Sequence, residues 1–243
     1  MHTGYLFWFL QRMLLFPFGR MWYDQGKNIE RERNMDKYVI FDIDGTLNQT
    51  ALYAVEAYQT ALAKRGREVS AQEVISCIGS SPEVIIQKFF GTLGEEEREA
   101  WSREVKELEF GLMEQNARPF EGIPEALAKL KSEGYKLAIC SNNFPEHIDH
   151  VLNAIHVREY FDVIASLELG RDKAEVLGNL LEKIGSASAC LAGDRIFDLR
   201  AARENKIPLI GCAYGYAPEE IQQADVVVTS PKELPDAVKQ LNI

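Results

Sequence analysis

The chain has 243 residues, enough for one large or two modest domains, and it is 46% hydrophobic and 26% charged, as is ordinary for a globular enzyme. Its net charge of −10 at pH 7 argues against a nucleic-acid partner, because a phosphate backbone needs a basic protein face. The four cysteines are widely spaced, without a CxxC pair, which fits free thiols in a reducing cytoplasm.

The first 36 residues differ in character from the rest. They contain two apolar, aromatic runs at 5–10 and 13–18, both shorter than the ~20 residues that span a bilayer, so we expect no stable membrane insertion. Three interpretations stay open: a start assigned upstream of the true initiator Met35, a membrane-surface anchor, or a helix packed on the body of the protein. We favour the first, because Met35 leads directly into a strand.

From Tyr38 onward, short apolar runs alternate with helical patterns. Strands are predicted at 38–41, 137–140, 163–165, 190–192, 208–210 and 226–228, and helices at 124–133, 144–156, 173–184, 197–204 and 230–241. This alternation with short loops predicts an α/β fold with a doubly wound, Rossmann-like parallel sheet, buried on both faces.

One stretch contains helical patterns only. These are predicted at 52–64, 71–77, 82–90 and 95–115. We therefore expect an inserted all-helical domain at 50–117 and an α/β core domain made of 37–49 and 118–243. Residues 1–36 are an N-terminal extension.

Two carboxylates, Asp42 and Asp44, directly follow the first strand. In parallel sheets, ligands bind at the carboxyl ends of the strands, and two converging carboxylates suit a hard cation. A carboxylate beside such a cation can also attack phosphorus. The same segment could be a plain turn or part of a calcium loop, but Leu47 interrupts the calcium pattern and no Glu stands at its twelfth position.

Polar residues also follow the later strands. Ser141 and Asn142 precede a helix, where a hydroxyl and free N–H groups can bind an anion or simply cap the helix. Lys173 opens a helix against the macrodipole, which suggests a local reason such as an active-site cation, although a solvated lysine is the more common case for such a residue taken alone. Arg171 competes for that role.

Asp194 and Asp198 follow the fourth strand, one helical turn apart. Asp194 can complete a metal site with Asp42 and Asp44, and Asp198 can hold a metal-bound water or orient Lys173. Either one could instead be a helix cap. The i, i+3 pair of His147 and His150 permits a metal site, but their acidic neighbours favour a solvated helix face.

Together, the order Asp-x-Asp-Gly-Thr, Ser-Asn, Lys and Gly-Asp-x-x-x-Asp resembles the four motifs of the haloacid dehalogenase (HAD) superfamily. The resemblance covers residues 38–243, and the helical insert stands where that family places its C1 cap domain. The segments 120–123 and 207–216 look like the phosphoglycolate-phosphatase-like branch. The resemblance implies a magnesium-dependent phosphatase for a small phosphorylated metabolite, such as phosphoglycolate, a sugar phosphate or a nucleotide.

The family's roles carry over onto matching residues. Asp42 resembles the nucleophile that forms an aspartyl-phosphate, and Asp44 the general acid/base whose backbone carbonyl also contacts magnesium. Lys173 resembles the cation that stabilises the transferring phosphoryl group. Ser141 and Asn142 resemble the residues that hold phosphate. The implied metal site consists of Asp42, Asp44, Asp194 and Asp198.

Two departures from the family's pattern stand beside these matches. Asn48-Gln49-Thr50 follows where many such phosphatases carry an acidic residue and a serine, and Lys173 lies in Arg-Asp-Lys-Ala rather than in a Lys-Pro segment.

The alternatives to a phosphatase are a phosphosugar mutase of the same family and a catalytically silent binding protein on this fold. We expect specificity to depend on the cap, whose loop at 78–82 could close over the substrate.

Overall fold

Nine α-helices and six strands follow one another along residues 36–185 and 188–243, which are the residues that the computed structural model describes. The strands are β1 (Tyr38–Phe41), β2 (Lys136–Cys140), β3 (Val163–Ala165), β4 (Ala189–Gly193), β5 (Leu209–Cys212) and β6 (Val226–Val228). The helices are α1 (Ala51–Ala63), α2 (Ala71–Ile75), α3 (Pro82–Phe90), α4 (Glu95–Asn116), α5 (Ile123–Ser132), α6 (Pro145–Ala154), α7 (Lys173–Ile184), α8 (Ile196–Glu204) and α9 (Leu234–Leu241). The predicted bounds agree with these to within a few residues.

All six strands are parallel and form one sheet in the order β3-β2-β1-β4-β5-β6. The chain moves outward from β1 through β2 to β3, then returns to β4 on the other side of β1. This reversal makes a crevice between the carboxyl ends of β1 and β4, the place where open α/β sheets bind ligands. The predicted doubly wound, Rossmann-like parallel sheet is confirmed.

Strand β1 is buried on both faces of the sheet. Val39 and Phe41 belong to one hydrophobic core, whereas Ile40 belongs to a second core, because successive side chains of a strand point to opposite faces. All three side chains are fully buried. Helices cover both faces, which explains why the strands appear in the sequence as continuous apolar runs.

Helices α1 to α4 lie between β1 and β2 and bury an apolar cluster of their own. Trp101 of α4 is at its centre, with edge-on contacts to Tyr58 of α1 and Phe90 of α3 at ring-centroid distances of 5.9 and 4.9 Å. The cluster also contains Ala61, Leu62, Cys77, Ile85, Ile86, Phe89 and Val105. A separate core supports the division into a helical cap at 50–117 and an α/β domain of 37–49 and 118–243, which stays a prediction.

The last helix is shorter than the helix predicted over 230–241. Residues Pro231–Glu233 form one turn of 3₁₀-helix, and the Oγ of Ser230 accepts a hydrogen bond from the N–H of Lys232 at 3.4 Å. Helix α9 begins only at Leu234, with Pro235 in its first turn. Proline is favoured at a helix start and excluded from its interior, which explains the later beginning.

Two further sequence interpretations concern the N-terminal segment and the cysteines. Those for the N-terminal segment 1–36 fall on residues outside the described part of the chain, apart from Asp36. Within the described part, no helix is long and apolar enough to cross a bilayer. All four cysteines are buried free thiols.

Candidate active site

The turn after β1 brings the carboxylate of Asp42 against the end of β4. Asp42 follows Phe41, and its backbone N–H donates a hydrogen bond to the carbonyl of Ala192 at 2.9 Å. Gly45 has a φ of +87°, and a Cβ atom there would lie 2.3 Å from Oδ2 of Asp194. Only glycine tolerates both this backbone angle and this contact, so Gly45 is what allows the turn to approach Asp194.

Three buried carboxylates meet at this edge of the sheet, those of Asp42, Asp194 and Asp198. One oxygen from each lies within 4.8 Å of the others, and no other group of three or more potential metal ligands occurs in residues 36–185 and 188–243. Oδ2 of Asp42 is buried and has no hydrogen-bond partner in that part of the chain. Converging carboxylates with an unsatisfied buried oxygen fit a hard divalent cation such as Mg²⁺.

The charge balance of this cluster also favours a cation. Burial raises the pKa of Asp194 well above its ordinary value, and the charges of Asp42 and Asp198 add to this effect. Burial likewise raises the pKa of Asp42, whereas the ammonium group of Lys173 opposes it. Three carboxylates beside one lysine leave an excess of buried negative charge, which a divalent cation would offset.

Lys173 supplies the positive charge of this cluster and is only 3% exposed. It is the first residue of α7, whose start is capped by the side chain of Asp172. Its Nζ donates a hydrogen bond to Oδ1 of Asp42 and lies 2.6 Å from Oδ1 of Asp198. Burial lowers the pKa of Lys173, but the charges of Asp198 and Asp42 outweigh burial and raise it, so the side chain remains protonated.

Arg171, the competing candidate for this position, points elsewhere. Its guanidinium group pairs with Glu175, one turn into α7, and its side chain is 89% exposed. The structure therefore brings Lys173, and not Arg171, to the carboxylate of Asp42.

Asp198 has two of the roles considered from the sequence, because it caps a helix and contacts Lys173. Its Oδ2 accepts a hydrogen bond from the N–H of Arg195 at 3.0 Å, at the start of α8, and its Oδ1 faces Lys173. Asp194 accepts a hydrogen bond from the N–H of Tyr216 at 2.7 Å. Asp198 thus both caps a helix and orients the lysine, while Asp194 stays beside Asp42.

The carboxylate of Asp44 lies outside the metal-like cluster and is held by two side chains. Its Oδ1 accepts a hydrogen bond from Oγ1 of Thr50 at 2.6 Å, and its Oδ2 accepts one from Nδ2 of Asn143 at 2.9 Å. Sequence reasoning missed both partners. Asn143 does follow β2, as a ligand-binding residue would, but nothing in the sequence distinguishes it from Asn142. The metal contact expected for Asp44 involves its backbone carbonyl and stays a prediction.

Ser141 and Asn142 directly follow β2 beside this crevice, and both are buried. The Oγ of Ser141 accepts a hydrogen bond from the N–H of Asn143 at 3.2 Å. Asn142 donates from Nδ2 to the carbonyl of Gly79 at 3.0 Å. One of the two predicted phosphate-binding side chains thus also contacts the cap loop.

Arg195 makes a second connection between the cap loop and the sheet edge. This buried side chain donates hydrogen bonds to the carbonyls of Ile78 and Ser76, and it pairs with Glu220 at 3.0 Å. The sequence placed Arg195 between two aspartates without a role of its own. It anchors the loop at 78–82, which was predicted to close over the substrate.

The prediction of a solvated face for His147 and His150 is wrong. The side chain of His147 is 13% exposed, with Nδ1 3.9 Å from Oε2 of Glu109, which belongs to α4. His150 stacks on Phe110 of the same helix, with the ring centroids 4.1 Å apart. Helix α4 covers this face of α6, a contact that the acidic neighbours of the histidines did not reveal.

Comparison with known proteins provides independent information about the same residues. Residues 39–212 match the model of a family described as haloacid dehalogenase-like hydrolase. A phosphoglycolate phosphatase of Caulobacter vibrioides is 26% identical over 211 residues, covering 82% of this chain and 89% of that protein. A 5'-nucleotidase of Pseudomonas aeruginosa is 30% identical over 191 residues, covering 75% and 85% respectively.

Solved structures share the fold. The crystal structure of a predicted phosphatase from Clostridium acetobutylicum superimposes with a TM-score of 0.76 and 24% identity, covering 85% of this chain and 100% of that one. The two relatives found by sequence are named for different substrates.

Proposed function

Because this chain belongs to the haloacid dehalogenase-like hydrolase family, we propose that it is a magnesium-dependent phosphatase that cleaves a small phosphate monoester through a phosphoryl group carried on Asp42. The observation that carries the proposal is the cluster of Asp42, Asp194 and Asp198 around Lys173, at the switch point of the sheet. Asp44 stands beside this cluster, at the edge of a cavity.

Asp42 acts as the nucleophile in this account. Lys173 holds one of its oxygens, and the other has no protein partner in the described residues, which leaves it available to a cation or to a substrate phosphorus. Attack forms the bond from the Asp42 carboxylate to phosphorus and breaks the bond from phosphorus to the leaving oxygen. The fixed charge of Lys173 stabilises negative charge on the transferring group without reorganisation.

Asp42 and Asp194 would hold Mg²⁺, with Asp198 in support. The bound cation would offset the repulsion between carboxylate and phosphate and polarise the phosphoryl oxygens. Ser141 and Asn142 are placed to hold the phosphate oxygens at the end of β2, where they stand beside Asp42 across the paired strands β1 and β2.

Asp44 acts as the general acid and then as the general base. Its carboxyl group gives a proton to the leaving oxygen, and it then takes a proton from the water that hydrolyses the phosphoryl–Asp42 bond. Thr50 and Asn143 hold both oxygens of Asp44, which limits the orientations of the group. Positioning of this kind contributes to rate because the acid is already in place.

The direct test is phosphate release by the purified full-length chain. With Mg²⁺, we expect release from at least one member of a panel of phosphoglycolate, sugar phosphates, nucleoside monophosphates and p-nitrophenyl phosphate. Pyrophosphate is included as a non-ester. No release from any member, by protein that is folded by circular dichroism, would contradict the proposal and leave a silent binding protein as the better account.

A further inference from the structure

Glu109 of α4 is a buried acid with an unusual lack of partners. It is 7% exposed, yet its carboxyl group makes no hydrogen bond to any described residue, and its ion-pair neighbour is His147 at 3.9 Å. A carboxyl group removed from bulk water needs a hydrogen-bond partner. The oxygens of Glu109 are not among the fully buried unpartnered atoms, and Glu109 lines a cavity, so its partner is a water molecule or a ligand in that cavity.

The Glu109 side chain faces a cavity that also opens onto Asp44. The cavity has a volume of about 40 Å³ and is lined by Asp44, Glu109, His147, Tyr58, Ser80 and Asn143, among others. This is more room than one water molecule needs, so the cavity accommodates a small leaving group. A leaving group that takes its proton from Asp44 would therefore extend toward Glu109.

A second cavity, of about 260 Å³, continues beyond the first. Glu109, His147, Tyr58 and Asn143 line both cavities, so they form the wall between them. A leaving group too long for the inner cavity would still pass beside Glu109. The outer cavity also contains Lys106, so the charge of the lining differs between the two cavities and matters here for groups that end beside Glu109 in the inner cavity.

The inner cavity offers no positive charge to an anion. None of the described residues that line it is lysine or arginine, and burial lowers the pKa of His147, which favours the neutral imidazole. The two carboxyl groups of Asp44 and Glu109 are the acidic groups of the lining. An additional carboxylate brought here would be desolvated without a counter-charge.

We propose that Glu109 is a specificity-determining residue, which selects leaving groups that carry no negative charge and donate a hydrogen bond to its carboxyl oxygens. Hydroxyl and ammonium groups share this chemistry. The inference rests on the proposed phosphatase function and narrows its substrate class. It separates this chain from a phosphatase for phosphoglycolate, whose carboxylate would face Glu109 and Asp44.

Three two-carbon phosphate monoesters test this selection. 2-Hydroxyethyl phosphate, phosphoethanolamine and phosphoglycolate present a hydroxyl, an ammonium and a carboxylate group at nearly the same place. At pH 9, above the pKa of about 8 that burial and the charge of Asp44 give Glu109, we expect one of the first two to exceed phosphoglycolate at least ~10-fold in kcat/KM, as charge mismatch in a site requires. A higher kcat/KM for 2-hydroxyethyl phosphate would indicate recognition of a hydroxyl group, and a higher kcat/KM for phosphoethanolamine would indicate recognition of an ammonium group.

Glu109→Gln removes the charge but keeps the shape of the side chain. We expect the preference over phosphoglycolate to fall by about 10-fold or more, since one buried charge contact is worth at least that much. Glu107→Gln is the matched control, because Glu107 lies on the same helix, is exposed and lines neither cavity. The preference of this variant over phosphoglycolate should equal that of the wild type.

The outcomes separate this inference from the proposed function. Three results would overturn the role of Glu109 while p-nitrophenyl phosphate is still hydrolysed. The first is a preference for phosphoglycolate, and the second is no hydrolysis of any of the three two-carbon esters. The third is unchanged selectivity in folded Glu109→Gln. No phosphate release from any ester, p-nitrophenyl phosphate included, would contradict the phosphatase function itself. Melting temperatures of the variants show whether each is folded under the assay conditions.

Discussion

The Nζ atom of Lys173 donates a hydrogen bond to Oδ1 of Asp42, although 131 residues separate the two in the chain. The contact joins the start of α7 to the end of β1 in a site where both residues are at least 97% shielded from solvent. A buried ion pair of this kind is rarely a source of net stability. Its value lies in fixing a charge beside a reacting group.

Replacement of Lys173 should therefore affect catalysis strongly. We expect Lys173→Met to lower kcat about 10²–10³-fold, because a preorganised charge next to the transferring group is lost. The same change leaves Asp42 and Asp198 without their counter-charge, which costs roughly 3–5 kcal/mol in the free energy of unfolding. Steady-state kinetics and urea denaturation measure the two effects.

Two further variants keep the Lys173 prediction testable if the methionine variant does not fold. Lys173→Arg retains the charge, and it should fold yet lose activity because its geometry differs. Arg171→Met is the control, since Arg171 is exposed and pairs with Glu175. An effect of Arg171→Met on kcat as large as that of Lys173→Met would show that the wrong cation has been assigned.

Replacement of Asp44 should depend on the leaving group. Asp44→Asn removes the proton that an alkyl leaving group needs, so we expect a loss of about 10²–10⁴ in kcat for an alkyl phosphate. The leaving group of p-nitrophenyl phosphate departs without protonation. With this substrate, Asp44→Asn should therefore reduce the rate of the first step, phosphoryl transfer to Asp42, clearly less. Single-turnover kinetics with both substrates measure this ratio, and equal losses would argue that Asp44 only positions the substrate.

Binding of Mg²⁺ should stabilise the folded protein independently of turnover. At about 100 times its Kd, a ligand adds roughly 2.7 kcal/mol, which corresponds to a rise of roughly 5–10 °C in Tm for a chain of this size. We expect this rise in the wild type and its loss in Asp194→Asn. Without Mg²⁺, Asp194→Asn should be the more stable protein, because one of three repelling carboxylates is gone.

Asp236→Asn is the control for the magnesium prediction, since Asp236 is exposed on α9. Its Tm should respond to Mg²⁺ as the wild type does. If thermal denaturation shows that Mg²⁺ raises the Tm of Asp194→Asn as much as that of the wild type, the ion binds at another site.

Glu109 should make stability depend on pH. Burial, followed by the charge of Asp44, raises its pKa from 4.5 to about 8. A carboxyl group with a raised pKa in the folded state favours the protonated form, so its stabilising contribution is complete below about pH 4.5 and is lost as the pH rises through about 8. The total effect is at most roughly 5 kcal/mol.

The difference in the free energy of unfolding between the wild type and Glu109→Gln isolates this contribution. We expect the wild type to lose stability relative to the variant from pH 5 to pH 9. Glu107→Gln should instead follow the wild type. His147, the facing group on α6, is present in all three proteins, and parallel curves for the wild type and Glu109→Gln would contradict the raised pKa.

The sequence predicted the centre of the site because each residue there follows a strand. Asp42 and Asp194 directly follow neighbouring parallel strands, and short apolar runs locate such strands well. Lys173 had only a weak local signal, a cation at a helix start, and its assignment depended on the order of the four motifs. For Asp42 and Asp194, a local signal and a simple rule of sheet geometry were enough.

Other contacts depend on which faces of distant helices meet. The pattern of α4 reveals a helix, but not that Glu109 turns toward His147 rather than toward solvent. The hydrogen bond from Asn143 to Asp44 likewise depends on two loops that meet although 99 residues of chain separate them. Such pairings are set by tertiary packing, and a single sequence carries no signal for them.

The central claim is that Asp42 carries the phosphoryl group. Acid quenching during turnover, followed by mass analysis of the peptides, should find one phosphoryl group on the peptide that contains Asp42, sensitive to hydroxylamine as acyl phosphates are. The variant Asp42→Asn should show neither the modification nor turnover. Normal turnover by Asp42→Asn, or a phosphoryl group on a different residue, would contradict the account.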